Sequence, residues 1–205
     1  WARESGRAFL RFDYSGHGAS TGHVEDGTIG RWAEDAAAII DGLTSGPQVI
    51  VGSSMGGWIA CQLARKSPQR FAGLVTIAAA PDFTEDRYWA GFAPEERQAL
   101  ESEGYVMVQS PYDAAPYKIT KTLIEEGRTQ RVLTRPLLFP FPTRLLHGSD
   151  DEAIPLSTAH RLFEHATGKD IRLTVVKGAD HRFSTPACLE LITQTIDEIA
   201  PVQTA

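Results

Sequence analysis

The pentapeptide Gly52-Ser53-Ser54-Met55-Gly56 constrains this chain more than any other stretch. It follows the apolar run Pro47-Gln48-Val49-Ile50-Val51 and leads into Gly57-Trp58-Ile59-Ala60-Cys61-Gln62-Leu63-Ala64, which is helix-forming and largely apolar. The order is strand, sharp turn, helix, with Ser54 at the apex, which is the context a G-x-S-x-G nucleophile elbow requires. Glycines on either side of the serine remove Cβ atoms where strand and helix approach, so the turn can be tight and strained. Such a turn projects the Ser54 Oγ beyond the carboxyl end of the strand. It also aims the Met55 N–H at the place where an oxyanion would form. The plainer reading is a Gly/Ser turn with no chemistry.

Around the elbow, strands and helices alternate. Arg7–Phe12 reads as a strand, followed by the turn-rich Asp13-Tyr14-Ser15-Gly16-His17-Gly18-Ala19-Ser20. A helix is expected over Ile29–Leu43, with Trp32, Ala36, Ile39, Ile40 and Leu43 on one face. After the Gln48–Val51 strand and the elbow helix, closed by Pro68, comes the nearly all-apolar strand Ala72–Ala79. Further strands are expected at Tyr105–Val108, Thr143–Leu146 and Ile171–Val176. Further helices are expected at Pro94–Ser102, Lys118–Gly127, Leu156–Thr167 and Pro186–Ile199. Alternation of this kind implies an α/β fold with a mainly parallel sheet and helices on both faces.

The rhythm breaks over residues 82–142, which are richer in aromatic residues, proline and charge. We read residues 1–81 and 143–205 as the core and 82–142 as a cap insertion at the carboxyl edge of the sheet, where ligands bind in open α/β folds. A surface excursion without function is the alternative. Phe83, Tyr88, Trp89, Phe92, Tyr105, Val106, Met107, Tyr112 and Leu123 would line an acyl pocket or form the insertion's own small core.

A serine hydroxyl needs a base, and the base needs a group to orient it. In the chain order serine, acid, histidine, His181 is the candidate base, on Lys177-Gly178-Ala179-Asp180-His181-Arg182-Phe183 directly after the last strand. His160 and His165 fall within an exposed helix, and His17 and His23 precede the serine. His147 ends a strand and packs under the acid loop. The acid lies in His147-Gly148-Ser149-Asp150-Asp151-Glu152-Ala153-Ile154-Pro155. Spacing alone leaves Asp150 and Asp151 both open, with Asp82 an outside candidate and Asp180 expected to point elsewhere.

Gly-Ser-Ser-Met-Gly-Gly-Trp, Leu-Leu-His-Gly-Ser-Asp-Asp-Glu-Ala-Ile-Pro and Asp-His-Arg together resemble the α/β-hydrolase superfamily. Arg11-Phe12-Asp13-Tyr14-Ser15-Gly16-His17-Gly18-Ala19-Ser20 and Gly46-Pro47-Gln48 are similar to the branch that contains the mitochondrial palmitoyl-protein thioesterase, also described as an acyl-glucuronide esterase, and its bacterial relatives. In that family the acid is the Asp three residues before the Val/Ile of His-Gly-x-x-Asp-x-x-Val/Ile-Pro. The resemblance therefore implies Asp151 as the acid, with Ser54 as nucleophile and His181 as base. It implies an α/β-hydrolase fold and a serine esterase or thioesterase acting on a carboxylic ester or thioester, an acylated protein among the substrates. Family members also carry an early His-Gly loop that supplies a second oxyanion donor. The chain starts at Trp1 rather than Met, so that loop and its strands are expected upstream, leaving a sheet edge open to self-association.

The remaining numbers exclude more than they assign. The 205 residues suffice for one substantial core, and 42% hydrophobic with 22% charged content is ordinary for a globular chain. A net charge of −6 gives no basic surface for nucleic acid. No apolar run is long enough to span a bilayer. Cys61 and Cys188 sit in no metal-ligand or redox spacing, and no metal or organic cofactor is implied. The default localisation is cytoplasmic, with the mitochondrial matrix the alternative for a eukaryotic source. Two rival functions keep the fold: a catalytically silent binding protein, and a C–C bond hydrolase using the same three side chains.

Overall fold

The computed structural model describes residues 1–109 and 115–200; the aromatic candidate Tyr112 lies outside the described residues. The described chain divides into two compact units. One comprises Trp1–Phe12, Leu43–Pro81 and 132–200, and the other comprises Asp13–Gly42 and Asp82–Arg131.

The first unit holds a four-stranded, wholly parallel sheet. In chain order its elements are β1 (Gln48–Ser53), α2 (Met55–Lys66), β2 (Phe71–Ile77), the two-residue β5 (Leu137–Leu138), β6 (Thr143–Gly148), α5 (Leu156–His165), the two-residue β7 (Ala166–Thr167), β8 (Ile171–Val176) and α6 (Pro186–Ile199). The sheet runs β1-β2-β6-β8, and β5 pairs with β7 separately.

Side chains alternate along a strand, so each inner strand serves two faces. Val75 and Ile77 of β2 and Leu146 of β6 pack with Ala179, Phe183 and Cys188 against Leu191, Ile192, Ile196 and Ile199 of α6. Leu74, Thr76 and Leu145, one residue out of step, are buried on the opposite face. The helix α2 packs on β1 and β2, and α5 packs on β6 and β8. Both faces of the inner strands are thus covered, which is why β2 reads as a nearly continuous apolar run, while β6 also buries Thr143, Arg144 and His147. On the α6 face the buried Arg144 of β6 bonds Asp170 at 2.9 Å and Glu198 of α6 at 2.8 Å.

The second unit contains α1 (Ile29–Leu43, whose last residue is assigned to the first unit), a π-helical turn at Thr84–Trp89, α3 (Pro94–Glu103), β3 (Tyr105–Val108), β4 (Tyr117–Thr120) and α4 (Lys121–Thr129). Strands β3 and β4 pair antiparallel. The elements start and stop where local chemistry directs. Pro94 opens α3 while the Glu96 carboxylate accepts the Ala93 N–H, and Gly104 ends it at φ 83°. Of the apolar candidates in 82–142, Phe92, Val106 and Leu123 are buried, as are Leu100, Ile119 and Ile124. Met107 is 47% exposed.

Four expectations change. The helix expected at Leu156–Thr167 ends at His165, because Ala166–Thr167 pairs with β5 instead. Arg7–Phe12 forms no strand. A β-prone run becomes a strand only when a neighbour completes its ladder, and among the described residues this one has none. Phe9 is 68% exposed, and the segment is tied down instead by Arg7 and Trp1, which both bond Asp197. The expected helix at Lys118–Gly127 is divided: Lys118–Thr120 pairs with β3, and the Thr120 hydroxyl then caps α4 by accepting the Leu123 N–H. On α1, Trp32 and Ala36 are buried as expected, but Leu43 is 68% exposed.

Candidate active site

The parallel strands end on one edge, and Ser54, Asp151 and His181 follow β1, β6 and β8 respectively. The structure brings these three together. His181 Nδ1 lies 2.8 Å from Asp151 Oδ2, and His181 Nε2 lies 3.1 Å from Ser54 Oγ. A carboxylate can only accept, so Nδ1 carries the hydrogen and Nε2 is left bare to accept the Ser54 O–H. Both hydrogen bonds then run in the direction a general base requires.

Ser54 is held in the left-handed region at φ 52°, a strained conformation for a residue with a Cβ. Its backbone is locked from several sides: its N–H donates to Ile77 O at 2.9 Å, and its C=O accepts from Ala80 and Gly57 at 3.0 and 2.9 Å. The reason for glycine at position 52 is direct. A Cβ there would stand 2.2 Å from the carbonyl oxygen of Gly56. Gly57 matters equally, since a Cβ there would meet that of Ala79 at 2.6 Å. Met55 begins α2, so its N–H belongs to the set of helix-start donors with no intrahelical acceptor.

Asp151 is separated from its neighbour Asp150 by hydrogen bonding. Asp151 is buried, and its Oδ1 accepts the Ala153 and Ile154 N–H groups at 2.9 and 2.8 Å, which leaves Oδ2 for His181. Burial pushes this carboxyl up. The His181 hydrogen bond, the Ile154 N–H and the nearby imidazoles of His181 and His147 outweigh that, so it settles below its ordinary value. Asp150 is exposed and accepts the Ser149 hydroxyl at 2.7 Å. Asp180 is used locally, its Oδ1 accepting the Phe183 N–H at 3.1 Å. Asp82 pairs at 3.5 Å with Arg131 within the second unit.

The acid and base loops are stitched together. Ser149 N–H donates to Val176 O, Asp150 N–H to Ala179 O at 3.0 Å, and Gly178 N–H to Ser149 Oγ at 2.8 Å. Gly148 allows this approach, because a Cβ there would lie 2.1 Å from Ala179 O. His147 sits inside β6 rather than after it, with its Nε2 3.0 Å from Ile154 O. Sequence reasoning placed it under the acid loop but gave it no role. Among the described residues, no group of three or more His, Cys, Asp or Glu side chains is arranged to hold a metal ion, and no helix is long and apolar enough to cross a membrane.

A parallel sheet with a strained serine turn, and with acid and histidine loops converging at one edge, defines the alpha/beta hydrolase class. The chain belongs to the alpha/beta hydrolase family, whose model matches residues 1–188. It is 34% identical over 200 residues to the mitochondrial palmitoyl-protein thioesterase ABHD10 of Bos taurus, covering 97% of this chain and 65% of the relative's length. A solved structure from Agrobacterium vitis S4 is 39% identical, with a TM-score of 0.93, and the match covers 97% of this chain and 78% of that one. The mouse alpha/beta hydrolase domain-containing protein 10 is 32% identical with a TM-score of 0.87, covering 97% of this chain and 79% of that one.

Proposed function

We propose that this chain is a serine hydrolase that cleaves carboxylic esters or thioesters through an acyl-enzyme on Ser54. The observation that carries the reading is the continuous relay from Ser54 Oγ through His181 to Asp151, at 3.1 and 2.8 Å. Ser54 Oγ attacks the acyl carbonyl carbon while His181 Nε2 takes its proton. The tetrahedral oxyanion is met by the Met55 N–H at the start of α2, where the helix dipole also favours negative charge. Asp151 keeps the proton on His181 Nδ1 and stabilises the imidazolium that forms. The imidazolium then protonates the departing alcohol or thiol as the carbonyl reforms. A water molecule deprotonated by His181 attacks the acyl-enzyme, releasing the acid and restoring Ser54.

The name of the bovine relative, a palmitoyl-protein thioesterase, supports a fatty-acyl thioester or ester as the substrate class, an acylated protein among the candidates. The same name favours the mitochondrial alternative over a cytoplasmic one. A p-nitrophenyl ester series from acetate to palmitate, run beside Ser54→Ala, tests the activity. Turnover is expected in the wild-type protein and is abolished in Ser54→Ala, with the fold retained by circular dichroism. Equal turnover in the two would end the proposal. The optimum along the series measures the preferred acyl length.

A further inference from the structure

His147 is a buried titratable group that the mechanism above leaves unused. Its side chain is 1% exposed, in the middle of the acid and base loops' support. Its Nε2 lies 3.0 Å from Ile154 O and 3.5 Å from Asp151 Oδ2. A carbonyl only accepts, so Nε2 carries the hydrogen. Its Nδ1 is buried and meets no hydrogen-bond partner among the described residues. An apolar side chain of similar size would fill this place without an orphaned nitrogen, whose burial is unfavourable. What the imidazole adds is one donor, directed at the turn that holds the acid.

Resting on the serine-hydrolase reading, we propose that His147 is a positioning residue: as a neutral imidazole protonated on Nε2, it clamps the Ile154 peptide and faces Asp151, fixing which carboxylate oxygen His181 meets. The chain of contacts is short. His147 Nε2–H holds the Ile154 carbonyl, and the Ile154 N–H holds Asp151 Oδ1. With Oδ1 occupied, Oδ2 is the oxygen left for His181 Nδ1. Asp151 Oδ2 lies 3.5 Å from the same nitrogen, so the clamp sits beside the oxygen that meets His181. A charged His147 would set a second hydrogen on a nitrogen with no acceptor, and burial, the largest influence, pushes its pKa down and keeps it neutral.

The test compares wild-type protein with His147→Leu and His147→Gln, the glutamine amide restoring a donor near Nε2. His147→Leu is expected to lower kcat roughly 10- to 100-fold, the range a displaced catalytic group produces, with KM little changed. His147→Gln is expected to recover most of the loss. The downfield proton resonance of His181 Nδ1–H is expected to shift or broaden in the leucine variant alone. Full kcat and an unmoved resonance in folded His147→Leu would overturn the proposal. Equal loss in both variants with an unmoved resonance would reduce His147 to a packing residue and overturn it too. If the leucine variant fails to fold, nitrogen-15 shifts of the wild-type protein decide: the Nε2–H tautomer at neutral pH supports the proposal and the Nδ1–H tautomer overturns it. The tautomer and resonance readouts need no turnover, so they stand apart from a failure of the hydrolase reading.

Discussion

Asp150 and Asp151 carry the same group one residue apart, yet only one of them is built into the His181 hydrogen bond. Asp151 is buried among two backbone N–H donors and His181, whereas Asp150 faces solvent and bonds Ser149. Asp151→Asn preserves the shape but removes the acceptor that keeps the proton on His181 Nδ1. It is expected to lower kcat by about 10⁴-fold, as loss of the orienting carboxylate does in a comparable triad. Asp150→Asn is expected to leave kcat near the wild-type value. Steady-state kinetics of the two variants check this, and comparable losses in both would contradict the assignment. The distinction was not legible in spacing, since both residues stand in the same loop; the family resemblance chose between them. Ser54 and His181 were legible because their signals are local. One is a strand, turn and helix in immediate succession, and the other is a histidine directly after the last strand. The part played by Gly57, and the contact of His147 with Ile154, depend on which backbones meet in three dimensions, and no short-range pattern announces them.

Elements were legible where their cause is local and illegible where it is a partner. Ile29–Leu43 and Pro186–Ile199 occupy the residues their patterns indicate. Lys118–Thr120 carries a helix-compatible sequence but pairs with Tyr105–Met107, a contact across more than ten residues. Arg7–Phe12 fails in the opposite sense, with strand-like residues and no ladder neighbour among the described residues. The junction of the acid and base loops is also an element-scale feature. Gly148→Ala would drive a Cβ into Ala179 O, which already accepts the Asp150 N–H. Backbone cannot yield there as a flexible side chain would, so we expect a loss of about 1–3 kcal/mol. That corresponds to a fall in Tm of roughly 2–12 °C, with a parallel drop in kcat because His181 is two residues from Ala179. Differential scanning calorimetry and kinetics on Gly148→Ala check this, and unchanged Tm and kcat would contradict it.

At the scale of the molecule, the four parallel strands act as a common baseplate that delivers three loops to one edge. The fold class was legible from the alternation of strands and helices and from the nearly all-apolar run of β2. The sheet's strand order was not, because nothing in β6 states that it pairs with both β2 and β8. Two buried groups of the site also tie global stability to pH. The Asp151 carboxyl is held below its unfolded value. Between those values the unfolded chain binds a proton that the folded chain refuses, so stability present near neutrality falls as pH drops below about 4. His147 is held below its unfolded value of about 6.5, by burial first and then by His181 and His160, against the opposing pull of Ile154 O and Asp151. Its contribution is therefore complete above that pH and declines as pH falls beneath it. Urea midpoints measured from pH 8 to pH 4 should decline below about 6.5, and less steeply in His147→Leu; a midpoint flat over that range would contradict the assignment. The central claim, that Ser54 forms a covalent acyl-type adduct with the help of His181 and Asp151, is tested most directly by intact-mass spectrometry after exposure to a fluorophosphonate. The account predicts one adduct, mapped to Ser54, abolished in Ser54→Ala and strongly slowed in His181→Ala. No adduct on the folded wild-type protein, or one that persists in folded Ser54→Ala, would contradict it.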